Sequence, residues 1–301
     1  MTVNTLFLLG LMRSGTTFFR NVLSANNNIQ VLGSELNKFW TEIGQAPCGT
    51  VPQCPVRIRD DATEEISSAV QKWFAQNYQN RNSLYNLTYR TYRLARYGNQ
   101  TLLKYGDPYY LLNKSTHLNN KIAFVDRIFP EAKFIFIIRD IYSHSNSLYR
   151  HLLRMQRKGY TIYPPDDKGS CWGFVPDREK NTNDDISGNK TFSFEDVPAY
   201  WFQHNLIAIK VLAKLAQDRV FYIQFDDIVR DLPSILHRLG QFLHGELNQK
   251  TTRKLINNYT VDPLEEWKET LTERQMKAID NMIETNRNDY EYIYSFFPDM
   301  S

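Results

Sequence analysis

The residues whose types and spacing could do chemistry begin with Gly10-Leu11-Met12-Arg13-Ser14-Gly15-Thr16-Thr17. This octet falls between a short apolar run, Leu6 to Gly10, and a segment where Phe18, Phe19, Val22 and Leu23 recur at helical spacing. Glycines let the backbone approach an anion, and a helix start offers unpaired N–H groups and positive potential. The octet therefore reads as a phosphate cradle, against the plainer reading as an ordinary strand-to-helix turn. It is close to the GxxxxGK[ST] nucleotide loop, but Thr16 stands where that loop has its phosphate-reaching lysine. Arg13 supplies a cation from inside the loop instead.

A second set lies further along the chain. The run Lys133-Phe134-Ile135-Phe136-Ile137-Ile138-Arg139 is the strongest strand signal, and a continuous apolar run of this kind suits a central parallel strand. Arg139 ends it, and Ser147 follows eight residues on. Ser143, Ser147 and Arg150 are spaced to share one helical face. An arginine fork with a hydroxyl suits a phosphate dianion; the plainer reading has Arg139 pair with Asp140 or cap a helix.

With Arg13-Ser14-Gly15-Thr16-Thr17, the sequence resembles the sulfotransferase family, whose members move a sulfo group from 3′-phosphoadenosine 5′-phosphosulfate to an acceptor. The resemblance implies that Arg13, Ser14, Gly15, Thr16 and Thr17 grip the 5′-phosphosulfate end. It implies that Arg139 and Ser147 bind the 3′-phosphate. The stretch Val220 to Asp227 is similar to the family's third strand, where an aromatic contacts adenine; Phe225 matches it, beside a plainer reading as core. Trp267-Lys268 resembles a pair near the family's C-terminal phosphate loop, although the Arg-Lys-Gly element of the cytosolic enzymes is missing. Lys268, Lys254 and Arg253 are the candidates for closing that side.

Two groups compete as the base. Glu35, in Leu32-Gly33-Ser34-Glu35, matches a glutamate used by the tyrosylprotein and heparan N-sulfating branches. His117, in Lys114-Ser115-Thr116-His117-Leu118, resembles the histidine base of the cytosolic branch. The plainer readings are a solvated or capping carboxylate and a structural histidine; Glu35 is preferred. Lys114 matches a lysine placed near the transferring group, and Arg13 shares that task of stabilising charge on the bridging oxygen. A P-loop kinase or NTPase is the first rival, but it predicts the missing lysine and an acid organising Mg²⁺. A non-catalytic adenine-nucleotide binder is the second, and the two candidate bases speak against it.

These residues need elements to hold them. Ile29 to Leu32 reads as a second strand, 44–60 as a loop, and 62–118 as mostly helical and tyrosine-rich. Helix, strand and helix follow at Ala199–Leu215, Val220–Phe225 and Pro233–Leu243, and Thr272 to Gln275 fits a capping box. Alternating strands and helices mean an α/β fold. We expect a single domain over 1–301, with a central parallel sheet of about five strands flanked by helices. A polar stretch at about 159–198 would form a lid or insertion.

Composition bounds the rest. The chain has 301 residues, 42% of them apolar, enough for a sizeable core. Its 36 basic and 33 acidic residues leave +3 with no basic block, which argues against nucleic acid as a partner. No apolar run reaches the ~18–20 residues that span a bilayer. Cys48, Cys54 and Cys171 read as unpaired thiols of a cytoplasmic enzyme, a Cys48–Cys54 bridge being the alternative. No cysteine–histidine spacing suggests a metal site. The acceptor is read as a small molecule. Eight acidic residues against four basic ones between Asp166 and Asp196 favour a neutral or cationic one, such as an amine- or guanidinium-bearing natural product of secondary metabolism. Aromatics from Tyr105 to Tyr110, with Trp172, would wall its pocket. The oligomeric state is left open.

Overall fold

Alternating side chains build the centre of the molecule. In β1 (Asn4–Leu9), Leu6 and Leu8 enter one buried apolar cluster while Phe7 and Leu9 enter another. In β4 (Lys133–Ile138), Ile135 and Ile137 join the first cluster, and Phe134, Phe136 and Ile138 the second. A strand whose two faces are both covered by apolar groups is a central strand of a parallel sheet. The computed structural model describes residues 4–32, 35–36, 39–40, 54–79, 83–97, 109–177, 192–247 and 264–297.

With β2 (Ile29–Val31), β3 (Tyr110–Lys114) and β7 (Val220–Gln224), these strands form a five-stranded sheet in the order β2-β3-β1-β4-β7. Every neighbouring pair is parallel. Helix α1 (Thr16–Ser24) follows β1. The helices α2 (Glu64–Gln79) and α3 (Leu84–Tyr97) come before β3, and α4 (Ile122–Ile128) precedes β4. After β4 come α5 (Ile141–Arg157) and, beyond a hairpin, α6 (Asp196–Leu212). Then α7 (Phe225–Arg230) and α8 (Leu232–Phe242) follow β7, and α9 (Trp267–Thr270), α10 (Glu273–Thr285) and α11 (Arg287–Tyr294) end the described chain. The capping box at Thr272 and Gln275 starts α10 as expected. Among the described residues, no helix is long and apolar enough to cross a membrane.

One expectation needs correction. The helical reading of 62–118 holds for α2 and α3 but fails at Tyr110–Lys114, which is a strand between β2 and β1. The strand was hidden because it ends in Asn113 and Lys114, polar residues that are nonetheless buried. The polar stretch at about 159–198, expected as a lid or insertion, holds ordered structure in its described part. Antiparallel strands β5 (Tyr160–Tyr163) and β6 (Gly173–Pro176) form a hairpin there. The residues 178–191 lie outside the described ones.

Connections leave the carboxyl ends of β1 and β4 toward opposite edges of the sheet, because β2 and β7 are the two edge strands. Parallel sheets of this kind bind ligands at such a point, outside the strand ends.

Candidate active site

The loop 10–15 sits at that point, and its shape is held from four directions. Gly10 N–H donates to Asn119 Oδ1 (3.1 Å), and Ser14 N–H donates to the Leu11 carbonyl (3.0 Å). His144 Nε2–H donates to the Met12 carbonyl (3.0 Å), and Arg139 Nη1 donates to the Arg13 carbonyl (3.1 Å). This over-determination keeps Arg13 at φ 74°, the left-handed region that a side chain with a Cβ adopts at a cost of ~1–2 kcal/mol. Burial and the neighbouring Arg139 push the His144 pKa down to about 3, so its imidazole is a neutral donor.

Gly15 then turns the chain into α1 with φ 84°. No side chain caps the helix start, and its first turn holds no acidic residue, so these N–H groups face an approaching anion uncompensated. Ser14 and Thr16 are buried and Thr17 is exposed. A Cβ on Gly15 would lie 2.1 Å from Phe225 Cδ2, so the ring closes directly on the loop. Gly15→Ala is therefore expected to lower stability by about 1–3 kcal/mol in thermal melts. A double-mutant cycle with Phe225→Ala should return a coupling of about 1 kcal/mol or more, because the smaller side chain relieves the clash.

Arg139 and Ser147 meet the loop tip together. While Arg139 holds the Arg13 carbonyl, Arg13 Nε donates to Ser147 Oγ (3.2 Å). The Arg139 guanidinium lies 5.1 Å over the Phe225 ring, and Trp201 Nε1 donates to the Arg139 carbonyl. Asp140 caps α5 by accepting from Tyr142 N and Ser143 N. Ser143 and Arg150 are engaged elsewhere: Ser143 Oγ donates to the Leu264 carbonyl, and Arg150 pairs with Glu266 (2.6 Å). Phe225 starts α7 and belongs to the apolar cluster that holds Leu6 and Leu8, so it is core and loop contact at once.

Lys114 ends β3 with only 1% of its side chain exposed, and it forms an ion pair with Glu35. Thr116 Oγ1 also donates to Glu35 (3.4 Å). Burial, then the charges of Arg20 and Arg13, hold the Lys114 pKa down at about 7. The Glu35 carboxylate acts in the opposite sense, as any anion brought into the site would. Below pH 7 Lys114 carries its proton; above, an arriving anion must draw one in. Binding of 3′-phosphoadenosine 5′-phosphate should thus take up little proton at pH 6 and a measurable fraction of one at pH 8. Calorimetry in buffers of different ionisation enthalpy reads this uptake, and Lys114→Met should abolish it.

His117 is placed differently. Its Nδ1 lies 2.9 Å from Cys54 Sγ, and Lys121 Nζ donates to its carbonyl. Burial, then the charges of Lys121, His204 and Lys114, push its pKa down to about 3. Such an imidazole is a weak proton acceptor at neutral pH. The reading of unpaired thiols is corrected at Cys54, which is disulfide-bonded, whereas Cys171 is free; Cys48 lies outside the described residues.

Other expectations fare unevenly. Lys268 pairs with Glu265 (2.7 Å) and sits beside Trp267, which stacks on Tyr142 at the foot of α5. Lys254 and Arg253 lie outside the described residues, as does Tyr105. The pocket walls expected from Tyr109, Tyr110 and Trp172 are corrected, because all three are buried core residues. Tyr109 donates to Gln30, and Tyr110 to the Leu243 carbonyl (3.1 Å). Asn119 and His144 were missed as loop anchors. Their only sequence signal is position: Asn119 follows the His117 segment, and His144 sits one turn ahead of Ser147.

The chain matches the model of the Sulfotransferase family over residues 5–173, more than half of its length. No curated protein matches the sequence. Among solved structures, the sulfotransferase domain of the Synechococcus PCC 7002 olefin synthase is 16% identical, covering 93% of this chain and 95% of that one, with a TM-score of 0.47. A sulfotransferase from Alicyclobacillus acidocaldarius is 12% identical over 94% and 97%, with a TM-score of 0.45. Mouse sulfotransferase SULT7A1 complexed with PAP is 12% identical over 96% and 86%, with a TM-score of 0.47. The matched residues 5–173 run through the phosphate-type loop, Glu35, Lys114, Arg139 and Ser147, and the chain belongs to the sulfotransferase family.

Proposed function

We propose that this chain transfers the sulfo group of 3′-phosphoadenosine 5′-phosphosulfate to a hydroxyl or amine of a small-molecule acceptor, without a metal. One observation carries the reading: Arg139 and Ser147, eight residues apart, both engage Arg13 at the tip of the loop 10–15. That arrangement offers a guanidinium and a hydroxyl beside a helix start, the donor set a second phosphate requires. Phe225 supplies a ring for the adenine, and Lys268 is the described candidate for the outer side of the 3′-phosphate. The donor's 5′ end takes the N–H groups of Gly15, Thr16 and Thr17, while Ser14 N–H stays on the Leu11 carbonyl and keeps the turn in shape.

In the transfer step, the acceptor O–H or N–H bond gives its proton to Glu35 as the acceptor atom bonds to sulfur. The bond from sulfur to the phosphate oxygen breaks in line, and the released phosphate charge is met by Arg13, Lys114 and the loop N–H groups. Lys114 links the two ends of this step, since it pairs with the base and faces the leaving group's charge. His117 is the second candidate base, weakened by its low pKa. The loop, Lys114, Arg139 and Phe225 all stand at or just beyond the carboxyl ends of strands of one sheet, so the reading treats 1–301 as one catalytic domain. A cytoplasmic setting loses the support it drew from unpaired thiols, because Cys54 is bridged.

The test is a pair of labelled donors. Sulfur-labelled 3′-phosphoadenosine 5′-phosphosulfate should pass label to an alcohol, phenol or amine, and γ-labelled ATP should pass none. Transfer from ATP alone would make the chain a kinase, and binding without transfer would make it a nucleotide-binding protein.

A further inference from the structure

Beyond Arg13 and Ser147 the site continues into a cleft of about 430 Å³ along α5. Its walls carry the guanidinium groups of Arg13, Arg150, Arg154 and Arg157, with Glu266 as the acid among its lining residues. Glu266 is taken by Arg150, while the Arg154 guanidinium donates to His151 Nδ1 (2.9 Å). Leu153 is the aliphatic residue of the lining. A pocket for a neutral or cationic natural product would instead be mostly apolar.

A helix rises about 1.5 Å per residue, so the step from Ser147 to Arg157 runs roughly 15 Å. One phosphate group held by Arg139 and Ser147 occupies the first turn of that length, and among the described residues no ion pair joins Arg154 or Arg157 to an acid, Glu266 being paired with Arg150. The His151 imidazole beside Arg154 is affected in the same sense: burial first, then the charges of Arg13, Arg154 and Lys158, push its pKa down to about 4. Meanwhile three described acids of the 159–198 stretch have local partners. Asp166 accepts from Lys168 N and Ser170 N, and its backbone N–H donates to Ser170 Oγ. Asp177 accepts from Thr161 (2.8 Å), and Asp196 accepts from Ser193 N–H (2.6 Å).

We propose that the acceptor is anionic, carrying at least one phosphate, sulfate or carboxylate group that docks on Arg154 and Arg157 while its hydroxyl or amine lies at the loop. This inference rests on the donor reading above, and it reverses the charge that the acidic count between Asp166 and Asp196 suggested. Guanidinium forks recognise all three anions by two parallel hydrogen bonds.

The experiment measures binding to the protein already loaded with 3′-phosphoadenosine 5′-phosphate, by calorimetry, with matched pairs of probes. Glycerol phosphate against glycerol tests a small anion; a chondroitin hexasaccharide against its carboxyl-reduced counterpart tests an anionic chain. The charged member of at least one pair should bind about tenfold or more tightly than its neutral twin. The combined change Arg154→Gln and Arg157→Gln, which removes the charges without reversing them, should erase that preference and leave the affinity for 3′-phosphoadenosine 5′-phosphate within about fivefold, since these exposed groups make no contact with it and act only through a screened field. The preference should also shrink as salt rises from about 50 to 300 mM. Which pair responds identifies the source of the anion. Equal binding of charged and neutral twins, or a preference that survives the double change, overturns the inference and leaves the donor reading standing. Failure to bind 3′-phosphoadenosine 5′-phosphate at the outset overturns both.

Discussion

Glu35→Gln is expected to lower kcat by about 10²–10⁴-fold, with affinity for 3′-phosphoadenosine 5′-phosphate little changed. The amide keeps the shape of the carboxyl group and can still accept from Thr116, which donates to Glu35 at 3.4 Å. What it loses is basicity and the charge that pairs with Lys114. His117→Ala is the control. Its imidazole is held near pKa 3, so at neutral pH it is unprotonated yet has little drive to take a proton, and its removal should cost much less. Steady-state rates and donor titrations on both variants decide between them. A large fall for His117→Ala with Glu35→Gln still active would reverse the assignment.

Arg139→Ala should weaken 3′-phosphoadenosine 5′-phosphate by about 2–4 kcal/mol, the range for a lost charged hydrogen-bonding partner. Arg139 also braces the Arg13 carbonyl, so loss of affinity alone would not separate recognition from loop support. The ratio of affinities for the 3′,5′-bisphosphate and for 5′-AMP does separate them. Recognition of the 3′-phosphate requires a ratio well above one in the native protein and near one in Arg139→Ala. A purely structural role would weaken both ligands alike and leave the ratio unchanged. Arg139→Lys should recover only part of the ratio, because a point charge lacks the planar fork. Equal affinities for the two ligands in the native protein would refute the role.

The legible part of this chain was local. The phosphate-type turn at 10–17 shows itself because glycine placement and the onset of helical spacing are properties of adjacent residues. Arg139 and Ser147 were legible for the same reason, since a strand end and the helix after it fix a spacing of eight residues, and the structure sets both against Arg13. The core pattern of β1 and β4 was equally plain, because burial on both faces demands unbroken apolar runs.

What lay beyond reach was pairing over distance. Strand β3 passed as helix because its last two residues are polar, and only the sheet around it makes burial of Asn113 and Lys114 tolerable. Asn113 accepts from Trp40 (2.8 Å), and Lys114 meets Glu35 from 79 residues away. Trp172 read as a pocket wall, yet the structure buries it against Tyr200 and Phe192. The net charge of +3 hid a cleft lined with arginines, because a sum over the chain discards where charges stand. The sequence by itself determined the α/β alternation, the anion-binding turn and the arginine–serine spacing, since each depends on backbone geometry within a few residues. Only the tertiary structure decided the Lys114–Glu35 pair, the anchoring of the loop by Asn119 and His144, and the sign of the field beyond Arg13. Those depend on desolvated groups finding partners, and the fold alone brings such partners together.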